Sequence, residues 1–186
     1  MLDAGTLGII APMINNKEDC KKFVSYCRYP PIGQRSFGPT RAQLIYGKDY
    51  YKYANSQIIT LAMIETQEAV NSLDEILSVK NLNGVYIGPA DMSIAYGLEP
   101  KFDVREDPVF SNIKLIVKKA KEYGKIAGIH NGTTQYAKEM IALGYQFITV
   151  SSDYRGMTSF NQRIVKEMKE IDKDKGKEKE KEKSTY

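Results

Sequence analysis

Two carboxylates stand where short apolar runs end. Ile58–Ile64 (I-I-T-L-A-M-I) runs into Glu65, and Gly84–Ile87 runs through Gly88-Pro89-Ala90 into Asp91. Read as neighbouring strands about 4.8 Å apart, these runs let both side chains point at one shared place. Two carboxylates with positions left for water and substrate suit Mg2+ or Mn2+ better than zinc, which prefers His and Cys. Each acid has a plainer reading as well, Glu65 as a helix cap and Asp91 as an N-cap. Their coincidence on adjacent strand ends favours the metal. The turn Gly88-Pro89-Ala90-Asp91-Met92-Ser93 leads from a strand into a short helix, where free N–H groups would hold an anion such as a carboxylate. A tight turn that holds nothing fits the same letters.

His130 is the only histidine of the chain and precedes Asn131-Gly132-Thr133. A lone histidine at a strand end is expected in the wall of a pocket rather than as a catalyst. A mechanism needing two histidines is excluded within this chain, and no G-x-S-x-G elbow points to a Ser-His-Asp triad. No lysine ends a strand, which disfavours a Schiff-base aldolase. The nucleotide signatures G-x-G-x-x-G and G-x-x-x-x-G-K-[ST] are absent too. Arg35 and Arg41, in a Pro/Gly-rich loop, either meet an anionic substrate or pack the loop.

These side chains need a scaffold that gathers strand ends. Strands are predicted over Leu7–Met13, Ile58–Ile64, Gly84–Ile87, Ile126–Ile129 and Phe147–Val150. Helices are predicted over Asn16–Cys27, Arg41–Gly47, Asp49–Ser56, after the Ile58–Ile64 strand through about Ser78, from Pro108 to Tyr123 with Gly124 as cap, over Thr133–Leu143 with Gly144 as cap, and from Ser159 to about Lys169. Strands apolar on both faces and separated by helices mean a parallel sheet covered by helices, an α/β fold. An open doubly wound sheet and part of a (β/α)8 barrel compete. Polar residues gather at the strand ends: Asn15, Glu65, Asp91, His130, Asn131 and Ser151 to Asp153. That favours the barrel, where such ends converge on one mouth.

The 186 residues are 42% hydrophobic and 27% charged, an ordinary globular composition. Cys20 and Cys27 cannot build a disulfide framework and are expected as reduced, structural thiols. No apolar run approaches the roughly 20 residues of a membrane span, and Met1 to Thr6 does not have the basic start of a signal peptide. A cytoplasmic protein is expected. Between Lys173 and Lys183 six lysines face four acids, so this stretch holds half of the net charge of +4. The body has no basic stripe interleaved with aromatics, so nucleic acid is not an expected partner. The chain therefore divides into a folded part, 1–171, and a low-complexity Lys/Glu tail, 172–186, expected to be a disordered or frayed extension of the preceding helix.

Several runs occur together and in order: A-G-T-L-G-I-I-A-P-M, Tyr29-Pro30-Pro31-Ile32-Gly33 with Gln34 to Arg41, Ile64-Glu65-Thr66, Tyr86-Ile87-Gly88-Pro89-Ala90-Asp91-Met92-Ser93 and Gly128-Ile129-His130-Asn131-Gly132. In these the chain resembles the HpcH/HpaI aldolase/citrate lyase family, and most closely its 4-hydroxy-2-oxoheptanedioate and 2-dehydro-3-deoxyglucarate aldolase branch, over about Leu2 to Glu170. The resemblance implies a metal-dependent, pyruvate-forming carbon–carbon lyase on a TIM barrel, acting on a 2-oxo acid and an aldehyde. It implies Glu65 and Asp91 as ligands of Mg2+ or Mn2+, with Co2+ as a further fit. It also implies the amides of Ala90 and Asp91 as the seat of the pyruvate carboxylate.

Some family members carry glutamine two residues before the metal glutamate. Here that position is Met63, a candidate for the pocket wall together with His130. The family's catalytic histidine and arginine precede the A-P-M strand, and no residue of this chain matches them, so none is assigned as catalytic. A (β/α)8 barrel typically needs about 250 residues, and about five of its eight strands are legible here. The expectation is the last five β/α units of a barrel, with the N-terminal third lacking and activity impaired. A homo-oligomer is expected from the open sheet edges. An acyl-CoA or citrate-type lyase of the same superfamily is the alternative enzyme, which Y-P-P-x-G disfavours. A non-catalytic fragment or pseudoenzyme that assembles with other subunits is the alternative outside catalysis.

Overall fold

Runs rich in β-branched residues form the five strands of one sheet in a computed structural model, which describes the backbone of residues 1–183 and the side chains of 1–169. The strands are β1 (Gly8–Ala11), β2 (Ile59–Ile64), β3 (Gly84–Ile87), β4 (Ile126–Asn131) and β5 (Phe147–Val150). They lie in sequence order and every pair is parallel. Helices α1 (Lys17–Tyr26), α2 (Thr40–Tyr46), α3 (Tyr50–Gln57), α4 (Gln67–Asn71), α5 (Leu73–Leu77), α6 (Pro89–Ala95), α7 (Val109–Glu122) and α8 (Thr134–Leu143) make the crossovers. Residues Met1–Val150 form one compact unit, and the last helix, α9 (Asp153–Lys183), belongs to a second. Among the described residues no helix is long and apolar enough to cross a membrane.

Alternation along each strand separates two faces. On one face Ala62, Ile64, Val85, Ile87, Ala127 and Ile129 are buried with Ile76 and Leu77 of α5, Ile113 and Ile116 of α7 and Met140 of α8. This is the core, and it drives the helices onto the sheet. The opposite face is the interior of a partial barrel. At its foot Leu7, Ile10, Ile59, Leu61, Ile126 and Phe147 line an apolar cleft of about 350 Å³. Polar side chains appear only higher up, towards the strand ends.

Buried polar links hold the outer elements. Arg28, 3% exposed, donates to the Asn81 carbonyl at 3.2 Å and to Asn83 Oδ1 at 3.0 Å, tying α1 to the start of β3. Burial pulls its pKa down. Arg35 packs its loop: it donates to Asp3 Oδ1 at 2.8 Å and Tyr50 Oη at 3.1 Å, with its guanidinium 4.4 Å from the Tyr29 ring centre. Of the two readings of Arg35, the packing one is observed. Both cysteines are free and buried, and burial pushes the Cys20 thiol up to about 12.

Several element boundaries differ from expectation, β1 ending at Ala11 rather than Met13 among them. The helix expected to reach Ser78 breaks into α4 and α5 at Ser72. α7 begins at Val109, with Pro108 as its N-cap, and ends at the C-cap Tyr123, so Gly124 follows the cap at φ 62°. β4 continues through His130 and Asn131, because both pair with β5. α9 starts at Asp153 rather than Ser159. α9 continues as helix through Lys183, where a disordered or frayed tail is expected from residue 172, while the side chains of 170–186 and the backbone of 184–186 lie outside the described residues.

One close approach in the sheet is specific to glycine. A Cβ at Gly84 would lie 2.2 Å from the Ile126 carbonyl oxygen and 2.7 Å from Ile126 Cβ. We expect Gly84→Ala to destabilise the protein by about 1–3 kcal/mol, since overpacking here has only backbone to displace. Urea denaturation followed by circular dichroism measures it.

Candidate active site

In-register pairing arranges the inner face in rows. Met63 pairs with Tyr86, Tyr86 with Gly128 and Gly128 with Phe147, while His130 pairs with Thr149. Glu65 follows β2 and lies two residues beyond Met63, so it belongs to the row above. Gly88, two residues beyond Tyr86, occupies that row on β3. Glu65, Gly88, His130 and Thr149 therefore stand abreast, with Glu65 and His130 separated by two strand spacings, roughly 9.6 Å.

Glu65 is 4% exposed. Its Oε1 accepts the backbone N–H of Met13 at 2.8 Å. Its Oε2 lies over Gly88, where a Cβ would come within 2.7 Å of it and 3.3 Å of Met63 Sδ. Gly88 keeps that space open. The neighbouring Thr66 is the N-cap of α4, accepting Ala69 N–H at 3.1 Å and donating to Asn15 Oδ1 at 2.6 Å. Gly88 occupies the N-cap position of α6, and Asp91 sits in the first turn. Neither acid is a cap, so the plainer reading of both is removed.

Burial pushes the Glu65 carboxyl above the ordinary range, the Met13 N–H opposes this, and the charge of Asp91 adds to the rise. Asp91 is thus close enough for its field to reach Glu65, while remaining exposed itself. Among the described residues no group of three or more His, Cys, Asp or Glu could hold a metal ion. The two carboxylates whose charges interact here are Glu65 and Asp91, the first with one oxygen over an open glycine floor. That set fits a hard cation that keeps several waters and takes substrate oxygens, and it does not fit a closed zinc site.

Across the row, His130 is half-buried, with Nδ1 2.9 Å from Thr149 Oγ1. The Tyr86 hydroxyl shares the same Thr149 oxygen, so three strands meet in one chain of hydrogen bonds. Phe102 packs edge-on against the imidazole, with ring centres 4.7 Å apart. Its loop is pinned by Asp103, which accepts Gly132 N–H at 2.7 Å and the Thr133 hydroxyl at 2.6 Å. Met63, half-buried, borders the space over Gly88, and Ala90 lies in the first turn of α6.

The structure brings Glu65, Gly88, Met63 and His130 to one mouth, with the charge of Asp91 acting on Glu65 and Ala90 preceding Asp91 in the first turn of α6. Met13, Tyr86, Thr149 and Phe102 were not singled out from the sequence. Strand parity carried the signal for two of them: Tyr86 stands two residues before Gly88, and Thr149 opposite His130. Met13 and Phe102 lie in loops and have no such signal.

A family model described as HpcH/HpaI aldolase/citrate lyase matches residues 1–159. The hydroxypyruvate/pyruvate aldolase of Rhizorhabdus wittichii is 38% identical over 171 residues, covering 92% of this chain and 68% of that protein. The 4-hydroxy-2-oxo-heptane-1,7-dioate aldolase of Shigella flexneri is 36% identical over 156 residues, covering 82% of this chain and 58% of that protein. The crystal structure of an HpcH/HpaI aldolase/citrate lyase family protein from Burkholderia cenocepacia superposes with a TM-score of 0.80 at 25% identity, over 90% of this chain and 67% of that one. The chain thus spans between 58% and 68% of the length of these proteins.

The raised carboxyl of Glu65 makes stability depend on pH in a defined sense. Its folded-state pKa exceeds its unfolded value, so the native state favours the protonated form. That contribution is complete below the unfolded pKa and is lost as pH rises through the folded one. Above the unfolded-state pKa this carboxyl therefore destabilises the metal-free fold. Glu65→Gln should raise the thermal midpoint of the metal-free protein at about pH 7.5, and the gain should shrink towards about pH 4. Calorimetric melts of the two proteins across that range measure it.

Proposed function

Starting from a chain that belongs to the HpcH/HpaI aldolase/citrate lyase family, we propose that this mouth serves a metal-dependent carbon–carbon lyase that cleaves a 4-hydroxy-2-oxo acid to pyruvate and an aldehyde. The observation that carries the reading is the Glu65 carboxylate, with Oε1 tied to Met13 N–H and Oε2 over Gly88, in reach of the Asp91 charge. Mg2+ or Mn2+ held there, with Co2+ as a further fit, would supply Lewis-acid polarisation of the substrate's keto oxygen.

Glu65 Oε2 and the Asp91 carboxylate are the proposed protein ligands. The N–H groups of Ala90 and Asp91 fall in the first turn of α6, where a helix offers no carbonyl four residues back. They are proposed to receive the substrate carboxylate. Gly88 lets a planar 2-oxo acid lie against the backbone between the two sides of the row. Met63 and His130 wall the space, with Thr149 and Tyr86 holding the imidazole's orientation. No residue of this chain is assigned the acid–base step. The aldolase reading is preferred to a citrate-type lyase because the relatives at 38% and 36% identity are named aldolases.

A cytoplasmic location and a homo-oligomer complete the proposal. Two buried free thiols support the first. Exposed Met157, Phe160, Ile164 and Met168 on α9 support the second, since a row of apolar side chains seeks cover.

Titration calorimetry with MnCl2 and then pyruvate tests the reading. We expect weak Mn2+ binding, pyruvate binding that depends on the metal, and loss of both in Glu65→Ala. Pyruvate binding indifferent to metal and to Glu65→Ala would contradict it. The purified chain should show little retro-aldol turnover alone, and turnover at the rate of the R. wittichii aldolase under the same conditions would contradict that part.

A further inference from the structure

Met13 adopts φ 55°, a left-handed conformation that side chains with a Cβ rarely take. Its own side chain is 57% exposed, so burial of that side chain does not explain the turn. The conformation aims the backbone N–H at Glu65 Oε1, 52 positions away in sequence, at 2.8 Å. The turn is held from both directions. Ile14, 6% exposed, anchors it in the core. Asn15 Oδ1 accepts the Thr66 hydroxyl at 2.6 Å, which joins the turn to the residue that follows Glu65. The β1 loop therefore grips Glu65 from its carboxylate and from its C-terminal neighbour.

We propose that Met13 is a positioning residue whose backbone N–H holds Glu65 as a one-oxygen ligand, so that the site selects small octahedral cations over Ca2+. This rests on the reading that Glu65 binds a divalent metal. A carboxylate with one oxygen committed to an N–H offers the other alone. Mg2+ and similar cations need near-octahedral geometry and accept single oxygens, whereas Ca2+ takes more ligands and readily uses both oxygens of a carboxylate. Strain in a non-glycine turn is expected where it organises a functional group.

The test is Mn2+ binding followed by electron paramagnetic resonance of the free ion, with Ca2+ as competitor, on five proteins. These are wild type, Met13→Gly, a backbone ester made by placing the α-hydroxy acid analogue of methionine at position 13, Asn15→Ala and Glu65→Ala. Met13→Gly keeps the N–H and tolerates the turn, so its affinity should stay within about twofold of wild type. The ester replaces that N–H with an oxygen that cannot donate, leaves the side chain unchanged, and should bind Mn2+ about tenfold more weakly, the lower range for losing a group that orients a ligand, with a reduced preference over Ca2+. Asn15→Ala should lose affinity in the same direction while keeping its unfolding transition, and it carries the test if the ester does not fold. An ester within twofold of wild type, equal losses in ester and glycine variants, or an unchanged Asn15→Ala would overturn the proposal. Absence of saturable Mn2+ binding in wild type, or a Glu65→Ala that binds as wild type does, would overturn the metal reading itself and the proposal with it.

Discussion

The pairing of β2 with β3 is the constraint on which the mouth depends. With Met63 opposite Tyr86 and Ile64 opposite Ile87, the next residues inward are Glu65 and Gly88, side by side. A slip of one residue would turn Glu65 into the apolar layer under the helices and place Ile64 in the interior. The register is held because the other parity of each strand is the core itself: Ala62, Ile64, Val85 and Ile87 are all fully buried. Hydrophobic burial on one face thus fixes the chemistry on the other.

That placement carries a tension which the fold only partly relieves. A carboxylate that is 4% exposed loses most of its hydration, and one backbone N–H restores part of it. Burial still outweighs the hydrogen bond, and Asp91 adds repulsion, so the carboxyl remains above its ordinary range. Two acids held together at a cost to the apo fold are what a cation would relieve. The rest of the row supports the same arrangement. Gly88 presents no side chain, and the Tyr86–Thr149–His130 chain stiffens the opposite wall across three strands.

Much of this was legible in the letters, for physical reasons that differ by residue. An acid ending an apolar run is visible because buried parallel strands tolerate polar groups only at their ends, and both Glu65 and the G-P-A-D turn meet that condition. His130 was placed outside its strand because an apolar pattern was used to end β4 at Ile129. Pairing with Thr149 and Val150 carries the strand further, since the mouth of a barrel does not demand apolar side chains. The break at Ser72 carries no Gly or Pro to mark it. Met13 was the least visible, because positive φ in a residue other than glycine leaves no trace in the sequence. Its role appears only when the loop after β1 is set beside the end of β2. Arg35 shows the opposite case, a loop arginine whose letters allowed a substrate role and whose contacts are those of packing.

Glu65 and Asp91 are proposed to share one divalent cation at this mouth. Anomalous diffraction at the manganese edge, from crystals of the chain grown with Mn2+ and pyruvate, tests it most directly. A peak is expected within about 2–2.5 Å of both Glu65 Oε2 and an Asp91 carboxylate oxygen, with Glu65 Oε1 still on Met13 N–H. A peak bound elsewhere, or one touching neither carboxylate at saturating Mn2+, would contradict it.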